Sequence, residues 1–244
     1  TATAKTKASQ KAIMPFVKKS LISDATDPNE ISILVNHNDL IILTIHTYEH
    51  PESLFIPAAQ ALQNAARYSS PKKFIYASNA IVYGEQNGKW VDEASLLNPV
   101  TDYGRLMAET ENQLLNLQNF GWRTTLFRLG KIYGPERTLK KKIEDLQDKK
   151  LAGKGEHYTN MIHIDDIIHA TQMIIDKEIE GIINLVDDEH PTKIELYEKI
   201  CKKYNLPSIQ WDEKRRSYHN GNKRVSNHKI KSLGYNFLHP KRIY

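Results

Sequence analysis

Residues 74–84 read FIYASNAIVYG, and this stretch decides the fold. It begins as an apolar run of strand length and then reaches the small polar residues Ser78 and Asn79. Residues 102–107, DYGRLM, later open a long helical stretch with Tyr103 near its start. A buried strand that ends in small polar residues and leads to a helix is typical of a parallel α/β sheet, in which ligands lie at the carboxyl ends of the strands.

Short β-branched runs alternate with helical stretches in the first half of the chain. Strands are predicted at 20–22, 40–45, 73–77 and 124–129, and helices at 28–35, 53–68 and 102–119. Asp27 is the expected N-cap of the first of these helices, with Pro28 at its first position. The run at 40–45 does not alternate strictly, so we expect it to be buried on both faces. The βαβα order predicts an α/β fold with a doubly wound parallel sheet of the Rossmann type.

The regular alternation ends after Pro135. The remaining pattern predicts helices at 137–150, 166–177, 193–204 and 227–233, and strands at 157–164 and 182–186. Asp165 or Asp166 is expected at the start of the helix at 166–177, near its positive end. We therefore expect a core over residues 1–135, and a mixed region over 136–244 that completes the core and forms a small C-terminal substrate lobe.

The composition limits the class of protein. The chain has 244 residues, of which 40% are hydrophobic and 26% charged, so it is long enough to bury a sizeable core. Its apolar runs are shorter than the ~20 residues that cross a bilayer, so we expect no membrane partner. Cys201 is the one cysteine, which excludes an intramolecular disulfide and favours a reducing compartment, with the cytoplasm as the expected location.

The formal net charge of +5 suits an anionic small-molecule substrate. Basic clusters lie at 140–142 and 214–216, without aromatic residues interleaved at regular spacing. This pattern favours solvated loops or contacts with a substrate phosphate, and we expect no nucleic-acid partner.

Several motifs in a fixed order resemble those of the extended short-chain dehydrogenases/reductases, and within them the NAD-dependent epimerase/dehydratase group. The motifs lie at 76–84, 103–105, 128–135 and 162–166, and further segments at 184–188, 223–227 and 233–235 resemble an atypical bacterial branch of that group. The similarity runs from about Ser20 to about Tyr235. The first region is then expected to be an NAD(P)-binding Rossmann-type core.

The resemblance also gives an expectation for the N-terminus. Members of the family begin with a strand and a glycine-rich turn that holds the cofactor pyrophosphate at a helix N-terminus. No such turn is found here, since Gly84 is the first glycine. Residues 1–4 look like the family's second strand, so the core is expected to be N-terminally incomplete and to expose a sheet edge.

The resemblance implies a set of cofactor-binding positions. Lys5 and Lys7 follow residues 1–4, the segment that looks like the family's second strand, where a cation favours the 2′-phosphate of NADP over NAD; exposed loop lysines are the alternative. Asp24 and Ala25 lie where the family places an Asp beside the adenine, although Asp24 could simply cap the next turn. The remaining implied cofactor positions are Thr44, Ile45, Ala77, Tyr103, Arg128, Lys131 and Ile132. NAD(P) is thus the expected cofactor, with NADP slightly favoured.

The family's catalytic groups are a Tyr that moves a proton, a Lys four residues later and a Ser or Thr after the preceding strand. Tyr103 fills the Tyr position, Met107 stands in the Lys position, and Asn79 stands in the Ser/Thr position with Ser78 before it. Asn79 can still donate and accept hydrogen bonds, but Met107 supplies no charge. A tyrosine without a cation ionises near pH ~10, which costs up to ~4 kcal/mol of driving force for proton transfer at neutral pH. Lys131 or Arg105 is a candidate for the missing charge.

Tyr83, Arg137 and His163 are the candidate substrate contacts. Asp165 and His169 lie at helical spacing, but an Asp that caps the helix explains this pattern better than a metal site, and we expect no metal. The resemblance also implies a homodimer formed through the helix that carries Tyr103, with Leu106 and Leu114 at the contact.

Two functions therefore follow from the sequence. The first is an NAD(P)-dependent oxidoreductase, epimerase or dehydratase acting on an unknown substrate, with a nucleotide sugar as the leading candidate. The alternative is a catalytically silent dinucleotide-binding or redox-sensing protein, which the altered Ser-Tyr-Lys set favours.

Overall fold

A computed structural model of the chain describes residues 1–47, 49–215 and 221–244. The chain divides into two compact units. The N-terminal unit comprises residues 1–76 and 109–125, and the C-terminal unit comprises residues 77–108 and 126–244. The division into domains at residue 135 stays a prediction. Arg216, which ends the second basic cluster of the sequence, lies outside the described residues.

The N-terminal unit is built from parallel βαβ crossovers. Its elements are β1 (Ala2–Ala4), α1 (Lys7–Ile13), β2 (Ser20–Ile22), α2 (Pro28–Asn36), β3 (Leu40–Leu43), α3 (Phe55–Arg67) and the start of β4 (Lys73–Asn79). Strand β1 pairs in parallel with β2, and β3 pairs in parallel with β4. The Asp27 carboxylate caps α2 by accepting hydrogen bonds from the N–H groups of Asn29 and Glu30, as the sequence predicts.

Strand β3 differs from its prediction both in its end and in its burial. The strand ends at Leu43 and is not buried on both faces, since Ile42 is 47% exposed. Strand β3 lies at the end of its sheet, and β1 and β2 form a separate two-stranded sheet. Among the described residues no strand pairs with the free edge of β3, so its side chains lack the cover that a central strand receives.

Helix α3 supplies most of the small residues of the core in this unit. Its buried residues are Phe55, Ala58, Ala59, Ala61, Leu62, Ala65 and Ala66. Helix α4 (Asp102–Leu115) ends in this unit, where Leu114 is fully buried. The expectation that Leu114 lies at a dimer contact was therefore wrong, because a side chain already buried in one chain has no surface to offer a partner.

The C-terminal unit contains the remaining elements. They are β5 (Trp90–Val91), β6 (Arg123–Leu129), β7 (Lys131–Tyr133), α5 (Leu139–Glu144), β8 (Lys150–Ala152), β9 (Met161–His163), α6 (Ile164–Lys177), β10 (Gly181–Leu185), α7 (Lys193–Tyr204), β11 (Gln210–Asp212), β12 (Arg224–Val225) and α8 (His228–Ser232). Strand β6 begins in the N-terminal unit and ends here beside β10. Three further parallel pairs join β7 to β9, β8 to β11 and β5 to β12.

Parallel strands alternating with helices confirm the predicted α/β class. Helix α7 has the predicted bounds, but α5 is much shorter than the predicted helix at 137–150, and β9 is shorter than the predicted strand at 157–164. Charged residues dominate 140–150, and Leu139 and Ile143 are the residues of α5 that are buried. A short helix follows because only one turn has an apolar face to bury.

Helices α5 and α7 pack with β7 and β9 around one hydrophobic core. Its buried residues are Tyr133, Leu139, Ile143, Met161, Leu196, Tyr197, Ile200, Cys201 and Ile209. None of the helices in the described ranges has both the length and the hydrophobicity that a membrane span requires.

Gly84, which ends the stretch 74–84, cannot be replaced without moving the backbone. Its φ is +60°, and a Cβ there would lie 1.5 Å from the carbonyl oxygen of Asn98. Gly181 shares the left-handed region, with φ +93°, but its added Cβ would lie 3.9 Å from the nearest atom, Lys229 Nζ.

We expect Gly84→Ala to lower the free energy of unfolding by about 4 kcal/mol or more, since a backbone clash adds to the backbone strain. Gly181→Ala should cost about 1–2 kcal/mol, the strain alone. Urea denaturation of both variants measures the difference, and equal losses would show that the contact at Asn98 relaxes freely.

Candidate active site

The carboxyl end of β4 carries the first group of predicted site residues. Asn79 is half-buried and caps the following 3₁₀ turn, where its Oδ1 accepts a hydrogen bond from the N–H of Ile81 at 2.8 Å. Ser78 is buried, and Ala77 precedes it in the strand. The oxygen of Asn79 thus stabilises the turn, so its amide Nδ2 is the group suited to donate a hydrogen bond to a substrate oxygen.

Tyr83 and Arg128 lie in the interior of the C-terminal unit. The Tyr83 hydroxyl donates a hydrogen bond to Asn184 Oδ1 at 2.7 Å, and the Arg128 guanidinium lies 4.8 Å from the centre of the Tyr83 ring. Burial raises the pKa of Tyr83 to about 12. Both side chains are buried, so in this structure Tyr83 joins β10 to the turn after β4, and its role as a substrate contact stays a prediction.

The first turn of α4 carries Tyr103, which is half-buried, and Met107 follows one turn later in a buried position. The Thr101 hydroxyl oxygen accepts a hydrogen bond from the N–H of Gly104 and so fixes the start of the helix. Arg105 forms an ion pair with Asp102. Since residues two positions apart do not face each other on a helix, Arg105 is poorly placed to replace the missing lysine beside Tyr103.

A cluster of three lysines lies where β7, α5 and α7 meet. Lys131 begins β7, Lys142 lies on α5, and Lys193 begins α7. We call these residues the lysine cluster. Of the positive charges that act on Lys142, that of Lys131 acts most strongly. Burial, followed by the Lys131 charge, lowers the pKa of Lys142 well below its ordinary value and also lowers that of Lys193.

The lysine cluster has an unbalanced positive charge. The neighbouring charges that act most strongly on Lys142 are all positive, and they include Lys193 and Arg242. The arrangement therefore favours either a neutral lysine or an anion among the three groups.

The sequence identified this cluster in part. Lys131 was a candidate for the charge missing from the catalytic set, and the structure instead places it beside Lys142. Lys142 belongs to the basic cluster at 140–142, for which contacts with a substrate phosphate were one interpretation. Lys193 had no signal in the sequence, because a single lysine at the start of a helix is common.

Lys5 and Asp24 meet at the carboxyl ends of β1 and β2. The Lys5 ammonium lies 2.8 Å from Asp24 Oδ2. This contact, followed by hydrogen bonding from the N–H of Thr26, lowers the pKa of Asp24 to about 2. The predicted phosphate contact and the predicted adenine contact are thus paired with each other. Part of the Lys5 charge is balanced within the chain.

The other predicted cofactor and substrate residues occupy loops and strand ends. Ala25 is half-buried next to Asp24, and Lys7 is exposed at the start of α1. Thr44 is exposed and Ile45 half-buried just after β3. Ile132 is half-buried in β7, and Arg137 is exposed, with its N–H donating to the carbonyl of Gly134.

His163 lies at the junction of β9 and α6 and caps the helix, because its Nδ1 accepts a hydrogen bond from the N–H of Asp165 at 3.2 Å. The expectation that an Asp caps this helix was therefore wrong. The ring of His163 also contacts His239, with 3.8 Å between ring centres. Burial, followed by the nearby His239, lowers the pKa of His163. His239 was missed since 76 residues separate it from His163 (239 minus 163).

Known proteins resemble this chain in sequence and in structure. Protein YeeZ of Escherichia coli K12 is 27% identical over 218 residues, which cover 88% of this chain and 76% of that protein. The UDP-glucose 4-epimerase of Thermus thermophilus, solved with NAD, gives a TM-score of 0.81 with 16% identity, covering 100% of this chain and 86% of that one. A conserved protein of unknown function from Silicibacter pomeroyi gives a TM-score of 0.75 with 22% identity, covering 98% of this chain and 85% of that chain.

The structural likenesses confirm the Rossmann-type fold. The sequence profile described as "NAD dependent epimerase/dehydratase family" matches residues 23–185, which include the turn at Asp24, the Tyr103 helix and the lysine at 131. The resemblance read from the motifs is thereby confirmed, and this chain belongs to the NAD-dependent epimerase/dehydratase family.

Proposed function

We propose that the protein catalyses an NAD(P)-dependent conversion of a sugar that carries a diphosphate, with nucleotide sugars as the substrate class. The lysine cluster is the observation that carries this proposal. A diphosphate would supply the negative charge that Lys142 and Lys193 lack among their strongest neighbours, and Lys131 lies beside them. Two similar proteins are named for their action on such compounds, a UDP-glucose 4-epimerase and a dTDP-D-glucose 4,6-dehydratase.

The residues at the carboxyl ends of β1 and β2 suit a dinucleotide cofactor. Lys5, Lys7 and Asp24 offer both a cation and a carboxylate for ribose, phosphate or adenine contacts. The bound nicotinamide would supply hydride transfer. The ion pair between Lys5 and Asp24 reduces the attraction that Lys5 offers a 2′-phosphate, so the slight preference for NADP rests mainly on Lys7.

Tyr103 is the proposed proton-transfer residue and Asn79 the proposed donor to the reacting oxygen. Met107, one helical turn after Tyr103, is buried, and its thioether brings no cation to the tyrosine. We therefore expect a slow enzyme, because no lysine assists the tyrosine in proton transfer.

The second candidate function is a catalytically silent dinucleotide-binding or redox-sensing protein. Two observations favour it: the uncharged Met107 in the lysine position, and the use of the Asn79 oxygen as a helix cap. The two candidate functions differ in one measurable property. The silent protein binds dinucleotide but does not convert a substrate.

We expect Tyr103→Phe to reduce turnover by about 100-fold or more, because phenylalanine cannot transfer a proton. The assay incubates the protein with NAD⁺ or NADP⁺ and a panel of UDP- and dTDP-sugars, and detects products by mass spectrometry. Tyr68→Phe is the control, since Tyr68 is 84% exposed.

Dinucleotide binding without turnover on any of these sugars would support the silent protein and reject the enzyme. Turnover that is equal in the Tyr103→Phe and Tyr68→Phe variants would remove Tyr103 from the mechanism and leave the substrate class intact.

The lysine cluster also predicts how stability depends on pH. Because the folded-state pKa of Lys142 lies below that of the unfolded chain, the unfolded state binds more protons between those two values. The free energy of unfolding should therefore rise from about pH 7.5 to about pH 9.5, below the range in which unfolded tyrosines ionise.

We expect Lys142→Met to make the protein more stable near neutral pH and to reduce this rise. Lys141→Met is the matched control, because Lys141 is exposed and pairs with Asp145 at 3.5 Å. Urea denaturation at the two pH values measures both effects. A rise that is unchanged in Lys142→Met would show that Lys142 is not the strained group.

A further inference from the structure

Three side chains from two separate segments converge beside the start of α6. Asp165 Oδ2 lies 3.3 Å from His163 Nδ1 and 3.0 Å from His239 Nε2. The three ligand-type atoms all lie within 4.8 Å of one another. Among the residues that the structure describes, this is the one group of three or more His, Cys, Asp or Glu side chains with that spacing.

The hydrogen bonds within this group do not fully account for its geometry. His163 Nδ1 accepts the N–H of Asp165, so in that role it carries no proton and cannot donate to the carboxylate. A ring nitrogen with a lone pair and a carboxylate oxygen then lie 3.3 Å apart, and both are acceptors. A cation between them would remove this conflict and would take the place of the weak N–H contact at 3.2 Å.

The position of His239 is fixed by a buried carboxylate. Asp166 is fully buried, and its oxygens accept hydrogen bonds from the Tyr235 hydroxyl at 2.9 Å and from the N–H groups of Leu238 at 2.7 Å and His239 at 3.0 Å. These contacts hold the C-terminal segment against α6. The His239 ring therefore reaches Asp165 without ordering a mobile loop, as expected of a preformed ligand set.

The spacing and the donor types suit one metal class. A tetrahedral zinc ion with bonds of about 2.0–2.1 Å separates its ligand atoms by roughly 3.3 Å. Two imidazole nitrogens and one carboxylate oxygen are common zinc ligands, and three protein ligands leave a position for water. The side chains of Asp165 and His239 are 50% and 21% exposed, which gives an ion access from solvent.

The start of α6 disfavours the binding of a cation, because the positive end of the helix dipole lies there. The carboxylates of Asp165 and Asp166 in the first turn offset this charge. We propose that His163, Asp165 and His239 form a binding site for one divalent transition-metal ion, with zinc as the expected metal.

Calorimetric titration of the tag-free chain with zinc chloride tests the site, followed by elemental analysis of the desalted protein. We expect one equivalent of zinc, and a loss of affinity of at least about tenfold in both Asp165→Asn and His239→Gln. Replacement of zinc by cobalt(II) should give the visible absorption of a four-coordinate ion.

His169→Gln is the matched control. His169 is exposed on the same helix, one turn from Asp165, and its ring instead faces Tyr235 at 5.5 Å. Zinc affinity should be unchanged in this variant. No stoichiometric binding to the wild-type chain, equal affinity in wild type and His239→Gln, or a loss in His169→Gln alone would each overturn the proposal.

Discussion

A buried ion pair between Arg242 and Asp187 holds together three segments of the C-terminal unit. Arg242 Nε donates to Asp187 Oδ2 at 2.7 Å, and neither side chain is exposed. The same guanidinium donates to the Thr159 hydroxyl oxygen at 2.6 Å. Breaking one partner of such a pair typically costs about 3–5 kcal/mol, since the other charge is left buried alone.

Three stretches depend on this pair for their position. Asp187 follows β10, Thr159 precedes β9, and Arg242 lies near the end of the C-terminal segment that carries Tyr235 and His239. Burial raises the pKa of Asp187 to about 6 in spite of the arginine. Folding thus places an ionised pair in the interior, where it joins the end of β10 to the start of β9.

Unlike the Arg242–Asp187 pair, the lysine cluster contains positive charges without a balancing carboxylate among the strongest neighbours of Lys142. Folding brings Lys131, Lys142 and Lys193 together at the cost of repulsion and desolvation. The diphosphate of the proposed substrate would offset this cost on binding.

Local signals predicted much of the fold. Asp27 and Pro28 indicated the start of α2, and the apolar spacing of 193–204 predicted the bounds of α7. The predictions were wrong where tertiary contacts determine the structure. The charged stretch at 137–150 forms only the short helix α5, and β3 is an edge strand although it is apolar. Edge position and burial depend on neighbouring strands, which periodicity does not describe.

The predictions of site residues likewise succeeded for local motifs and failed for contacts between distant parts of the chain. The positions of Tyr103, Met107 and Asn79 followed from motifs, since each lies close to a strand end or a helix start. Lys142 and Lys193 meet from helices 51 residues apart (193 minus 142), so no local pattern links them. The same holds for the Lys5–Asp24 pair, which depends on the parallel register of β1 with β2.

The role of the lysine cluster is tested by calorimetric titration of UDP-glucose, dTDP-glucose and free glucose into the wild-type chain, Lys131→Met and Lys141→Met. We expect a nucleotide sugar to bind more tightly than glucose and salt to weaken this binding. Lys131→Met should lose about tenfold or more in affinity, while Lys141→Met should not. Nucleotide sugars that bind no better than glucose, or that bind Lys131→Met as tightly as wild type, would contradict this role.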